Sequence, residues 1–108
     1  MNINLQFVQT RTYPKVAPLV YEMLENLQKK FNWIINAEVF FRDEKNAHGK
    51  GKICEIRLSV PGPVIYASSN KASFEAAVAE TTDNLERKLK SHKEKWEPQR
   101  RSSIKNKA

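Results

Sequence analysis

The sequence predicts an α+β domain of order β-α-β-β-β-α, one four-stranded sheet with two helices packed on one face. Three observations predict it. Three segments alternate apolar and polar residues with the period of two expected of a half-buried strand, and a short fourth segment follows them. Two longer segments repeat apolar residues at helical spacing. The polar stretch 44–51 and the Pro61-Gly62-Pro63 turn divide the last three strands into short-linked neighbours, which favours an antiparallel meander. Setting both helices on one face buries the alternating sides together.

From Asn2 to Val8, Ile3, Leu5 and Phe7 point one way and Asn4 and Gln6 the other, as in a strand. Pro14 suits the first position of a helix, where a missing N–H has no partner to lose. Val16, Val20, Met23 or Leu24, Leu27 and Phe31 continue an apolar stripe. Pro18 distorts that first turn or moves the regular start to its own neighbourhood. Asn32 is the expected end. Ile35 to Asp43 is a second strand, with Ala37, Val39 and Phe41 on one face and Glu38, Phe40 and Arg42 on the other. Lys52 to Val60 is a third, with Cys54, Ile56, Leu58 and Val60 inward. Val64 to Ser69 is a short fourth. Lys71 to Trp96 has neither Pro nor Gly, and Phe74, Val78, Leu85, Leu89 and Trp96 share one helical face.

At 108 residues the chain is one domain with a modest core. Residues 1–96 are expected to fold, and 97–108, almost without apolar residues, to form a mobile basic tail. No stretch approaches the roughly 20 apolar residues of a membrane span, and the first residues lack the pattern of a secretory signal. Cys54 is the only cysteine, so no internal disulfide forms and a reducing cytoplasm is expected.

Charge is distributed unevenly. Lys and Arg number 19 against 12 Asp and Glu, a net +7. From Arg87 onward there are nine Lys/Arg and two Glu, while residues 1–86 hold ten of each sign. A neutral body with a basic end calls for an anionic partner. Phosphate contacts supply most nucleic-acid affinity, so the candidate RNA-binding residues are Arg87, Lys88, Lys90, Lys93 and Lys95, with Arg100 and Arg101 beyond. Lys29 and Lys30 at the end of the first helix are secondary candidates. On a helical wheel these charges fan around the exposed side of the last helix. Read alone, such a face is more often solubility and dipole complementarity than a binding site.

Other chemistries find little support. Cys54 is expected inside the sheet as a small apolar residue. His48 lies in a loop, and His92 on the apolar side of its helix near Trp96 is expected to pack. One Cys and two His at no recognised spacing do not suggest zinc. Gly49-Lys50-Gly51 lacks the spacing of a phosphate-binding loop. No catalysis, cofactor, metal, membrane or small-molecule substrate is expected, and the free protein is expected to be monomeric. Tyr66 and Phe40 fall on the face away from the helices. Edge packing is the expected role of both, ahead of base stacking.

Several stretches in order resemble the ribosome hibernation-promoting factor and ribosome-associated inhibitor A family, in its short form. Asp83-Asn84-Leu85-Glu86-Arg87-Lys88-Leu89-Lys90 with His92-Lys93 resembles its D-K-L-E-R-Q-L-x-K-x-K run. Ile65-Tyr66-Ala67-Ser68 resembles I-x-A-S, Phe74-Glu75-Ala76-Ala77-Val78 resembles M-Y-A-A-I, and Tyr13-Pro14-Lys15-Val16 resembles T-P-A-L. The resemblance covers about residues 1–96. It implies a shape like that of double-stranded RNA-binding domains. It also implies binding to small-subunit ribosomal RNA in the messenger and transfer RNA channel, which blocks translation by occupancy. A protein-interaction role on an alternative sigma factor and a general double-stranded RNA-binding module are the alternatives. Long members carry an additional pairing domain, which this chain is expected to lack. Glu75 stands where the family has Tyr, Ala17 and Pro18 where it has Arg or Lys, and the tail is basic where one short branch is acidic.

Overall fold

Each alternating segment forms a strand and each helical stripe a helix. The computed structural model runs β1 (Asn2–Phe7), α1 (Val16–Lys30), β2 (Asn36–Asp43), β3 (Lys52–Ser59), β4 (Val64–Lys71) and α2 (Phe74–Lys105). It describes residues 1–8, 10–44 and 49–105, with side chains as far as 94. The sheet order is β1-β2-β3-β4. β2, β3 and β4 form the antiparallel meander, and β1 joins β2 in parallel. A parallel pair needs a crossover longer than a hairpin, and α1 provides it.

Register sets the two faces. Val39 pairs with Ile56 and Ile56 with Ala67; Phe41 pairs with Cys54 and Cys54 with Ser69. These rows face the helices and are buried, together with Val20, Leu24, Val78, Leu85 and Leu89 from α1 and α2. Phe7, Phe41 and Phe74 close one end, with Phe41 5.1 Å from each of the other two ring centroids. The alternate rows, Glu38–Arg57–Tyr66 and Phe40–Glu55–Ser68, form the open face.

Four details differ from the sequence reading. α1 begins at Val16, not Pro14, and Pro18 is its third residue. The first four N–H groups of a helix have no intrahelical partner, so Pro18 costs no hydrogen bond there. α1 ends at Lys30, and the N–H of Phe31 closes the last turn on the Leu27 carbonyl oxygen at 2.8 Å. β4 continues to Lys71 and is as long as β3. Its extension is held by the Lys52–Lys71 pair and by the Gly51 N–H donating to Asn70 Oδ1 at 2.6 Å. The backbone of α2 continues past Trp96 to Lys105. Apolar periodicity stops at Trp96, but extending a turn that is already formed avoids the cost of nucleating a new one. Gly62 takes a φ of 106° in the β3–β4 turn, a conformation that favours glycine.

Candidate nucleic-acid interface

The site grows out of how α2 is seated. Ser73 opens it, its hydroxyl accepting the Ala76 N–H at 3.2 Å. Phe74, Ala77, Val78, Leu85 and Leu89 turn inward and are fully or almost fully buried. Burying each Leu stabilises the domain by about 1.5–3 kcal/mol. Thr81 and Thr82 share this side. Their hydroxyls donate to the carbonyl oxygens of Ala77 at 2.7 Å and Val78 at 2.9 Å, so burial leaves neither unsatisfied. With this side against the sheet and α1, the charged residues of α2 must face outward.

The structure separates the predicted cations into three directions. Toward α1, Lys30 Nζ lies 3.0 Å from Glu86 Oε1, and Lys90 Nζ 3.3 Å from Glu86 Oε2. The hydrogen bond from Lys30, and then that from Lys90, hold the Glu86 carboxyl below the usual carboxylate range. On the exposed side of α2, Arg87 pairs with Asp83 at 2.8 Å, both largely exposed. Toward β4, the Lys88 ammonium donates to the carbonyl oxygen of Tyr66. Lys29 is exposed and Lys93 half-buried. The side chains of Lys95, Trp96, Arg100 and Arg101, and all of His48, lie outside the described residues. Thus Lys30 and Lys90 are brought together on one acid, while Lys88 stands apart on the other flank.

Three cations of the sheet are also paired with acids. Arg42 meets Glu55 at 2.6 Å, Lys52 meets Asp43 at 2.7 Å, and Lys71 meets Glu80 at 3.0 Å. The hydrogen bond from Lys71 is the main reason the Glu80 carboxyl lies below its ordinary range. Exposed pairs of this kind contribute little stability, but they cancel charge on the body. Lys88 differs because its partner is neutral.

Two side-chain contacts emerge only from the fold. Tyr66 is 40% exposed beside Lys88, and its hydroxyl donates to Glu55 Oε2 at 2.9 Å. Trp33, in the α1–β2 connection, packs on His92 at 5.6 Å between ring centroids. The apolar position of His92 signalled packing, but Trp33 as a partner was not visible in local periodicity. Phe40 is half-buried, with the Arg57 guanidinium 6.0 Å from its ring centroid. Cys54 is fully buried, and burial pushes its thiol up to about 12. Among the described residues no group of His, Cys, Asp and Glu could hold a metal, and no helix is long and apolar enough to cross a membrane.

Comparison with known proteins agrees with this architecture. Residues 3–97 match the family described as sigma 54 modulation protein / S30EA ribosomal protein. The ribosome hibernation promoting factor of Pseudomonas putida is 30% identical over 95 residues, which are 88% of this chain and 89% of that protein. The ribosome hibernation promotion factor of Deinococcus radiodurans is 34% identical over 83 residues, 75% of this chain but 43% of that longer protein. Among solved structures, a ribosomal subunit interface protein from Coxiella burnetii superposes with a TM-score of 0.76 at 22% identity, over 86% of this chain and 98% of that one. The N-terminal domain of Thermus thermophilus Protein Y superposes with a TM-score of 0.71 at 22% identity, over 85% and 99%. The fold is therefore shared at low identity, and the chain belongs to the sigma 54 modulation protein / S30EA ribosomal protein family, that of the ribosome hibernation promoting factors.

Proposed function

We propose that this protein is a ribosome hibernation factor that binds small-subunit ribosomal RNA in the channel of messenger and transfer RNA. It blocks translation by occupancy, so no bond is made or broken. The ribosome as partner sets its site of action in the cytoplasm. The observation that carries the reading is the outward fan of cations on α2, in a chain whose relatives are named for ribosome hibernation. Cations pointing in several directions suit a double-stranded RNA-binding-domain-like wedge with RNA on more than one side. Each phosphate contact releases counterions, so a protein making about five contacts loses roughly 10²–10³ in affinity between about 50 and 200 mM salt.

The test is sucrose-gradient cosedimentation with purified ribosomes at those two salt concentrations, beside an in vitro translation assay. Salt-sensitive binding to the small subunit with translation inhibited is the expected result. Binding indifferent to salt would favour the protein-interaction role on a sigma factor. Equal affinity for plain duplex RNA would favour a general RNA-binding module.

A further inference from the structure

The sheet ends in two edge strands, β1 and β4. α2 packs against β4, and the Lys88 ammonium occupies the Tyr66 carbonyl oxygen of that strand. Among the described residues nothing comparable guards β1. Its sequence, Asn2-Ile3-Asn4-Leu5-Gln6-Phe7, has neither charge nor proline. Parallel pairing with β2 uses alternate residues of β1. The Val8 N–H donates to the Phe41 carbonyl oxygen at 2.8 Å, so Gln6 and Asn4 turn their backbone groups the same way. The N–H and C=O groups of Ile3, Leu5 and Phe7 therefore point out of the open edge. Natural edges are blunted by charge, proline, bulges or a covering element, and an edge without them is a template for another strand. The apolar layer is thin here too. Ile3, Leu5 and Phe7 face the helices but are only half-buried, whereas Val39, Phe41 and Ile56 are fully buried. On α1, Met23 and Lys30 meet Thr82 and Glu86 of α2. At about 100° per residue, Tyr21 falls on the opposite flank of α1, and it is 41% exposed. Because α2 lies over β3 and β4, that flank overlooks the β1 edge.

An open edge, a half-covered apolar row and an exposed tyrosine above it are complementary to their own copy. We propose that β1 pairs with β1 of a second copy of this chain, antiparallel about a two-fold axis, with α1 against α1 above it. A register centred on Leu5 sets Leu5 opposite Leu5 and Ile3 opposite Phe7 on the helix side. On the open side it sets Asn4 opposite Gln6, so apolar meets apolar and amide meets amide. The outward backbone groups of Ile3, Leu5 and Phe7 are then all used. Neighbouring strands lie about 4.8 Å apart and packed helices about 8–10 Å apart, so two strands match one helix spacing. Continuing the sheet therefore brings the two Tyr21 flanks to packing distance. Each copy carries +7, but β1 is uncharged and α2 lies over the far strands, so the contact sets no cations together. A peptide strand from another protein fits less well, because it would fill the edge and leave Tyr21 bare. The two-fold pairing also closes on itself and does not propagate. One strand pair with one helix flank is a small contact, and specific interfaces begin near roughly 1,000 Å². The dimer is therefore weak, and at low concentration the free protein stays the monomer expected from the sequence. It leaves α2 outward on both halves and stands independently of the ribosomal RNA reading.

The experiment is sedimentation velocity of the full chain at pH 7, from about 5 to about 200 μM. Wild type is expected to move from monomer toward dimer as concentration rises. The dimer should gain at higher salt, which screens the repulsion between two copies of charge +7. Asn4 and Gln6 are exposed on the open face, so changing them leaves the core intact. Asn4→Lys with Gln6→Lys puts like charges opposite each other and should weaken the dimer at least about tenfold. Mixing that chain with one carrying Asn4→Glu and Gln6→Glu should restore a dimer, now of unlike chains. Tyr21→Ser should weaken the wild-type dimer roughly fivefold. Circular dichroism confirms that each variant folds.

Wild type that stays monomeric across the whole range overturns the proposal and leaves the edge to an extended peptide of another protein. A dimer that the two Lys substitutions leave equally tight also overturns it, because the contact then lies elsewhere. A mixture of the Lys and Glu chains that stays monomeric overturns the register centred on Leu5. None of these outcomes touches the ribosome reading, since ribosome binding should weaken with salt while the dimer strengthens. Loss of cosedimentation with the dimer intact overturns the ribosome reading alone.

Discussion

Lys30 Nζ donates to Glu86 Oε1 at 3.0 Å across 56 residues of sequence, tying the end of α1 to the outer side of α2. The same carboxylate also takes Lys90, so one acid holds two of the predicted RNA-binding cations. The contact fixes where those cations stand and lowers the local positive charge. It is therefore both a structural tie and a brake on anion binding.

Glu86→Gln tests the tie through its pH dependence. The folded-state pKa of Glu86 lies below its ordinary value of 4.5. Its contribution is therefore complete above that ordinary value and is lost as pH falls through the lower folded value. Because both pairs reach solvent, the loss at pH 7 should stay below about 1 kcal/mol. Urea unfolding of wild type and variant should show a difference at pH 7 that narrows toward pH 3. An unchanged difference would refute the role assigned to the carboxylate.

Charge reversal of Arg87 and Lys90 tests the interface. Arg87→Glu combined with Lys90→Glu should weaken ribosome binding at least about tenfold at moderate salt while circular dichroism stays unchanged. Unaltered cosedimentation of the folded double variant would remove these residues from the contact.

The basic C-terminal end is tested by removing residues 97–108. The core lies upstream, so the melting temperature of the shortened chain should change little. Its affinity for ribosomes should fall, since Arg100 and Arg101 go with the deletion. Equal affinity at moderate salt would show that this segment makes no contact.

Phe41→Ala tests the core. Phe41 is fully buried between Phe7 and Phe74, and truncation leaves a cavity that the rings only partly fill. The expected cost is about 3–5 kcal/mol in denaturant unfolding. A cost under about 1 kcal/mol would mean that the aromatic cluster is not the packed centre of this end.

Cys54 provides a reporter of unfolding. Buried, with its thiol pushed up to about 12, it should resist iodoacetamide at mildly alkaline pH in the native protein and react when the chain unfolds. Rapid labelling without denaturant would contradict the burial.

Much of the fold was legible because its signals are local. Cys54, Ile56 and Leu58 alternate with Glu55, Arg57 and Ser59, and a pleated strand can place such a run in only one way when one face is buried. Phe74, Val78, Leu85 and Leu89 define a helix face by spacing alone. Boundaries were less legible. The start of α1 at Val16 depends on a turn in which the Val16 N–H bonds the Tyr13 carbonyl oxygen at 3.1 Å, and Pro14 alone does not specify it. The end of β4 depends on pairing with Lys52, a residue of another strand.

The sequence by itself determined the order of elements, the inward faces and the gathering of positive charge from Arg87 onward. These features follow from neighbours in the chain, whose spacing sets which way each side chain points. Only the tertiary structure decided which of those charges meet an acid and which a neutral carbonyl oxygen. Sheet order and the seating of α2 bring Lys30 to Glu86 and Lys88 to Tyr66, contacts between residues far apart in sequence. The physical reason is that ion pairing and exposure depend on distances across elements, and local periodicity carries no information about those distances.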